Sequence, residues 1–371
     1  MQQRHMGAVR LVWVVVLPLV TVGCGDDATG GDDGGLDVRA DDGTQPDDGG
    51  GDGDVGPDEL LDEGTGDVED TPDDAEEEDG AAPVDPSAPG SFTWTTVDDE
   101  VVRGSRTTPV AALIPDLADG AVAPLVVFLP GFQMRTGFYL PLLERLASHG
   151  FVVVPADPPS SLLSNSHPEQ ALDAQAVLDW ALNPAGPVGS RIDASHVGVA
   201  GHSNGGKVAT MVAFADARVT ALFGLDPVNG SGPLGYSADQ PDIVPDQVAP
   251  LAIPVGFLGE TVDAVAGLGG QACAPADQNF QTFYDAATSA PWAASWEFPD
   301  TSHVDFVFDT AACGLPCRMC RDGSADIDAI HANIMTLAVA FFRLHFLGDT
   351  AMEPWLIGDR VPADLVVLHR P

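Results

Sequence analysis

Residues 197–209 read VGVAGHSNGGKVA, and their interpretation organises the rest of the chain. The run 197–200 reads as a buried strand. Gly201-His202-Ser203-Asn204-Gly205 interrupts it, and GGKVATMVAFA continues as a helix. A bare G-x-S-x-G is a weak signal in a chain with 41 glycines. Between a strand and a helix it gains physical content. A sharp turn there holds the serine in a strained backbone conformation, and glycines flank it because side chains would collide across the turn. Ser203 Oγ then stands clear of the sheet at the positive end of the following helix. Ser203 is the candidate nucleophile.

Working outward, short apolar runs alternate with helical spacing. PVAALIP (109–115), APLVVFLP (123–130) and FVVVPADP (151–158) read as strands. So do VTALFGLD (219–226), IPVGFLGE (253–260) and ASWEFPD (294–300). Between them, YLPLLERLASHG (139–150) ends on a glycine stop signal, and PEQALDAQAVLDWAL (168–182) opens with a proline. DQNFQTFYDAA (277–287) and the long DIDAIHANIMTLAVAFFRLHF (326–346) complete the helices. This alternation predicts an α/β fold, a mostly parallel central sheet with helices on both faces. One domain over residues 91–350 accommodates it, with 351–371 as a C-terminal tail.

A nucleophilic serine needs a base, an oxyanion hole and a carboxylate. Two backbone N–H groups are expected to form the hole. One belongs to Asn204, directly after the serine, and the other to Phe132, exposed by the Pro130-Gly131 turn. Of the nine histidines, His303 in FPDTSHVDFVFD follows the last parallel strand, where a loop can swing over the carboxyl edge of the sheet. His202 is expected to point away from the site. Two strand ends offer the acid, Asp226 in LFGLDPVNG and Asp263, with Glu260, in VGFLGETVDAV. Both lie between Ser203 and His303 in chain order, so position leaves the choice open. Phe132, Phe138, Tyr139 and Phe306 are expected near the mouth, where they would favour a hydrophobic acyl or alcohol group.

The segments VVFLPGFQMRTGFYLPLLERLASHGFVVVPAD, GHSNGGK, GLDPVNG, CAPADQNFQTFYDAA and SHVDFVFD, in this order, resemble chlorophyllases and their bacterial relatives. More loosely they are similar to platelet-activating-factor acetylhydrolases and to cutinase-type poly(ethylene terephthalate) hydrolases. The resemblance spans about Pro109 to Phe346 and implies an α/β-hydrolase serine esterase that needs no metal or cofactor. The chlorophyllase pattern implies Asp226 as the acid, and the local match of GLDPVNG to that pattern favours it; the polyester-hydrolase pattern implies the alternative, Asp263. The chain departs from chlorophyllases at Pro130, where histidine is usual, and at Asn204, where arginine is usual. Both departures bear on the substrate more than on the mechanism. Small or polymeric esters are the expected substrates; the alternative is an inert surface-binding lipoprotein built on the same scaffold.

Composition adds an address. MQQRHMGAVR is a basic leader, LVWVVVLPLV an apolar core too short to span a bilayer comfortably, and TVGC ends on Cys24. This resembles a bacterial lipobox and implies a signal peptide over 1–23 and lipidation of Cys24. An exported protein anchored to an outer membrane or cell surface is the expectation. Residues 24–90 hold 25 of the 56 acids but only one base, Arg39, and are rich in Gly and Pro. They read as an acidic disordered tether. The net charge of −41 excludes the basic footprint of a nucleic-acid binder, and a monomer is expected. Cys273, Cys313, Cys317 and Cys320 form an even set. In an exported chain they imply two disulfides of open pairing rather than a four-thiolate metal site.

Overall fold

A computed structural model describes residues 84–161, 165–231, 235–267, 272–314 and 316–371. The leader, Cys24 and the tether up to residue 83 lie outside the described residues. The elements in chain order are β1 (Trp94–Arg103), β2 (Arg106–Pro115), β3 (Ala123–Leu129), α1 (Leu140–Ser148), β4 (Val152–Pro155) and α2 (His167–Leu182). There follow β5 (Ile192–His202), α3 (Asn204–Ala215), β6 (Ala221–Leu225), β7 (Val255–Gly259), α4 (Phe280–Ala286) and β8 (Ala293–Glu297). The chain closes with α5 (Thr310–Cys313), α6 (Ile327–Leu347), α7 (Glu353–Ile357) and β9 (Val366–Arg370).

The strands form one sheet in the order β1-β2-β4-β3-β5-β6-β7-β8-β9. The six from β4 to β8 are parallel; at the edges β2 and β9 run antiparallel to them, and β1 pairs antiparallel with β2. This is the mostly parallel α/β sheet that the alternation of strands and helices predicts. The parallel strands read as unbroken apolar runs because both faces are covered. Val127 and Leu222 point into a core shared with α2, α3 and α4. Their neighbours Val126, Phe128 and Phe223 point into a second core with α1 and α6. α6 is apolar enough to cross a bilayer by composition, yet Ile334, Leu337 and Phe341 are fully buried in that second core.

Two edges differ from the sequence reading. β1 was not legible, because Asp98, Asp99 and Glu100 interrupt its apolar pattern. As an edge strand it needs no continuous apolar face, and charge there discourages further pairing. A two-residue loop at Gly104, with φ +62°, turns it into β2. Arg103 and Arg106 then tie the hairpin to Asp173 of α2, at 2.8 and 2.7 Å from their Nε atoms. The second difference is the segment read as a tail. Residues 366–370 pair with β8 along its length, and the buried Trp296 of β8 donates to the Leu356 carbonyl at 2.7 Å. The run VVLHR is short and polar-ended, so its pattern alone does not announce a strand.

Candidate active site

β5 ends at His202 and α3 begins at Asn204, so Ser203 occupies the junction with φ 56° and ψ −122°. A non-glycine residue rarely holds such a positive φ, and its cost is met by close packing around the turn. A Cβ on Gly205 would run into the Leu129 carbonyl, and one on Gly201 into the backbone of Gly205. The turn is also stitched to the next strand. Ser203 N–H donates to Leu225 O at 3.0 Å, and Val228 N–H donates to Ser203 O at 3.2 Å.

His303 Nε2 lies 2.8 Å from Ser203 Oγ, and its Nδ1 lies 2.6 Å from Asp226 Oδ2. Asp226 follows β6 directly, with φ 41°, and its N–H is held by Leu258 O of β7 at 2.8 Å. Its side chain is wholly buried. Burial pushes the Asp226 carboxyl above the usual carboxylate range, and the hydrogen bond to His303 opposes that push. Asp263 is buried as well but does not meet the imidazole in a hydrogen bond. Its carboxylate accepts the backbone N–H of His303 at 2.8 Å and that of Arg321 at 2.7 Å. The two candidate acids therefore divide the histidine between them, Asp226 on the ring and Asp263 on the main chain.

The loop after β3 runs beside the serine. A Cβ on Gly131 would lie 3.5 Å from Ser203 Cβ. Gln133 takes φ 57°, and Met134 N–H bonds back to Gly131 O at 3.0 Å, which closes the turn. Among the described residues no acceptor is found for the N–H of Phe132 or of Asn204. A small cleft lined by Pro130, Gly131, Met134, Gln170 and Asn204 opens here. The Asn204 side chain donates to Gln170 Oε1 at 2.9 Å.

His202 does not simply turn outward. It is fully buried beneath the site, and its Nε2–H donates to the His303 carbonyl at 3.1 Å. Its Nδ1 then accepts the Tyr139 hydroxyl at 2.8 Å, and the same hydroxyl accepts Gly131 N–H at 3.3 Å. Burial and the adjacent His303 hold His202 well below the usual histidine range, so it is neutral. His202 thus joins the loop after β3 to the backbone of His303, a link that no local motif reveals. Tyr139 and Phe306 are core residues rather than mouth residues, both fully buried, whereas Phe132 and Phe138 are half-buried. Lys207, one turn after the serine, is buried too and donates to Gly230 O at 2.8 Å. Burial draws it down to about 8.

The four cysteines form two disulfides, Cys273–Cys320 and Cys313–Cys317. Their sulfurs are committed, so the four-thiolate alternative has no ligands left. The first bond closes a 47-residue separation and contributes on the order of 4 kcal/mol by restricting the unfolded chain. It also fixes Cys320 next to Arg321, whose N–H holds Asp263.

The sequence profile of the chlorophyllase family matches residues 87–364, which cover the sheet up to β8, the elbow, His303 and both carboxylates. The chain belongs to the chlorophyllase family. It is 29% identical over 302 residues to chlorophyllase-1 of Arabidopsis thaliana, covering 73% of this chain and 87% of that one. Chlorophyllase-1 of Citrus unshiu is 27% identical over 253 residues, with 65% and 74% covered. Cutinase est1 of Thermobifida alba is 27% identical over 179 residues, with 48% and 52% covered. Membership of the chlorophyllase family makes the chain a carboxylic ester hydrolase of the α/β-hydrolase fold.

Proposed function

We propose that the chain cleaves esters through a covalent acyl-enzyme on Ser203. The observation that carries this reading is the unbroken hydrogen-bonded line from Ser203 Oγ through His303 to Asp226. His303 Nε2 takes the hydroxyl proton as Oγ attacks the ester carbonyl, and Asp226 stabilises the resulting imidazolium. The free N–H groups of Phe132 and Asn204 receive the developing oxyanion. His303 then protonates the leaving alcohol, and water repeats the sequence in reverse roles to release the acid. The relatives named chlorophyllase and cutinase point to esters with a large apolar partner. Half-buried Phe132, which follows Gly131 beside Ser203, supports such a partner. A fluorophosphonate probe tests the reading directly. Stoichiometric labelling that maps to Ser203 is expected; an unlabelled serine in folded protein would leave only a binding scaffold.

Export and anchoring belong to the same proposal. The basic leader, short apolar core and TVGC motif support lipidation at Cys24, with the acidic stretch as a spacer. Cys24→Ala is expected to move the protein from the membrane fraction to the soluble fraction of its host. Unchanged membrane retention would rule out the lipid anchor.

A further inference from the structure

Three carboxyl groups converge under His303, and catalysis as described uses two of them. Asp226 comes from the end of β6, while Glu260 and Asp263 come from the end of β7. All three are fully buried. Asp263 is satisfied by two backbone N–H groups, as described. Glu260 Oε2 accepts Asp263 N–H at 2.8 Å. Two buried oxygens remain without partners among the described residues, Oε1 of Glu260 and Oδ1 of Asp226. Carboxylate oxygens of these two residues and a ring nitrogen of His303 lie within 4.8 Å of one another. No lysine or arginine side chain hydrogen-bonds to any of the three among the described residues, and Arg321 contributes only its main-chain N–H to Asp263. Among the described residues, the titratable base that hydrogen-bonds to this group by its side chain is His303.

Such an arrangement has one inexpensive solution. Two carboxylates that close in a dry site cannot both hold a charge, because desolvation and mutual repulsion act together. A protonated carboxyl needs an acceptor, and an unpaired carboxylate oxygen needs a donor. We propose that Glu260 is a positioning residue that, as a neutral carboxylic acid, donates its proton in a hydrogen bond to Oδ1 of Asp226. The line Ser203–His303–Asp226 thereby gains a fourth member. Asp226 keeps its charge for the imidazolium, and its carboxylate is held at both oxygens instead of one. Burial, and next the charge of Asp226, push the Glu260 carboxyl up to about 10, in keeping with a neutral acid at the pH of catalysis.

The inference rests on the triad reading, and its test is separable from that reading. Kinetics on a soluble p-nitrophenyl ester would be measured from pH 5 to 9 for the parent, E260L and E260Q, with fluorophosphonate titration of Ser203 in each. E260L keeps the volume but has no donor. Its kcat is expected to fall about 10- to 100-fold, the factor corresponding to one unsatisfied buried acceptor. The acid limb of its pH profile should move up by about one unit, because an unsupported Asp226 carboxylate holds a proton more tightly. E260Q carries an amide donor of the same shape and should restore most of the lost rate and return the acid limb toward the parent. If E260L matches the parent in kcat and acid limb, or if E260Q is as impaired as E260L, the donor role is wrong even where the parent labels normally at Ser203.

Thermal unfolding supplies a second readout and does not depend on activity. A carboxyl whose folded-state pKa lies above its unfolded value binds more protons in the folded chain, so it costs stability as pH rises above the unfolded value. E260Q has no such proton to lose. Its Tm relative to the parent is therefore expected to rise steadily from pH 5 to pH 9. A Tm difference independent of pH would mean that Glu260 is ionised in the folded protein, and would overturn the proposal.

Discussion

Ser203→Ala is expected to lower kcat/KM on short p-nitrophenyl esters by about four to six orders of magnitude. The substitution removes only Oγ. Alanine keeps the Cβ, so the backbone at φ 56° carries the same strain, and the turn stays locked by the flanking glycines. The hydrogen bonds from Ser203 N–H and to Ser203 O do not involve the side chain. Tm should therefore change little while turnover collapses. Residual activity over water is expected to persist, because the Phe132 and Asn204 N–H groups remain in place to polarise a carbonyl. Turnover within tenfold of the parent would remove Ser203 as the nucleophile.

Asp226→Asn is expected to cost about four orders of magnitude in kcat. The ring nitrogen 2.6 Å from Asp226 donates its proton to the carboxylate. An asparagine amide can present its N–H₂ to that position instead, which turns the imidazole to the wrong tautomer and leaves Nε2 protonated against Ser203. It also removes the charge that stabilises the imidazolium. Asp263→Asn is a different kind of change. It weakens one of two main-chain contacts that hold His303 N and Arg321 N, so it shifts geometry, and losing the Asp263 charge eases one of the lesser pushes on the Asp226 carboxyl. A loss of about tenfold is expected there. The comparison is decisive through its order: if the Asp263 variant proves the more damaging by orders of magnitude, the acid role belongs after β7.

The parts of the fold that were legible share one property, full coverage on both faces. β3, β4, β6 and β7 announce themselves as apolar runs because no residue in them faces water. β1 and β9 are edge strands; the exposed positions of β1 admit Asp98 and Glu100 without penalty, and β9 is only five residues long and ends on His369 and Arg370, so neither carries the apolar pattern. The site follows the same logic. Ser203 and His303 stand out because strand–turn–helix geometry demands glycines and because chain order restricts the histidine. Chain position alone does not separate Asp226 from Asp263, because β6 and β7 are neighbours and both strand ends reach the same corner; only the GLDPVNG pattern favours Asp226. Which carboxylate lies under the ring depends on the path of the loop after β8. The roles of Tyr139 and His202 are hidden in the sequence for a related reason. Their contact joins residues 63 positions apart, and Tyr139 sits in a run that otherwise reads as plain helix core.

The Cys273–Cys320 bond gives the chain a dependence on its own history. It lies one residue from the N–H that steadies Asp263, which in turn steadies the main chain of His303. Protein assembled where thiols stay reduced would fold around the same sheet, yet its histidine would hang from a slacker frame. Two preparations of identical sequence would then accept equal amounts of an irreversible serine probe and differ in turnover per labelled site. Specific activity would in that sense record the folding compartment as well as the sequence.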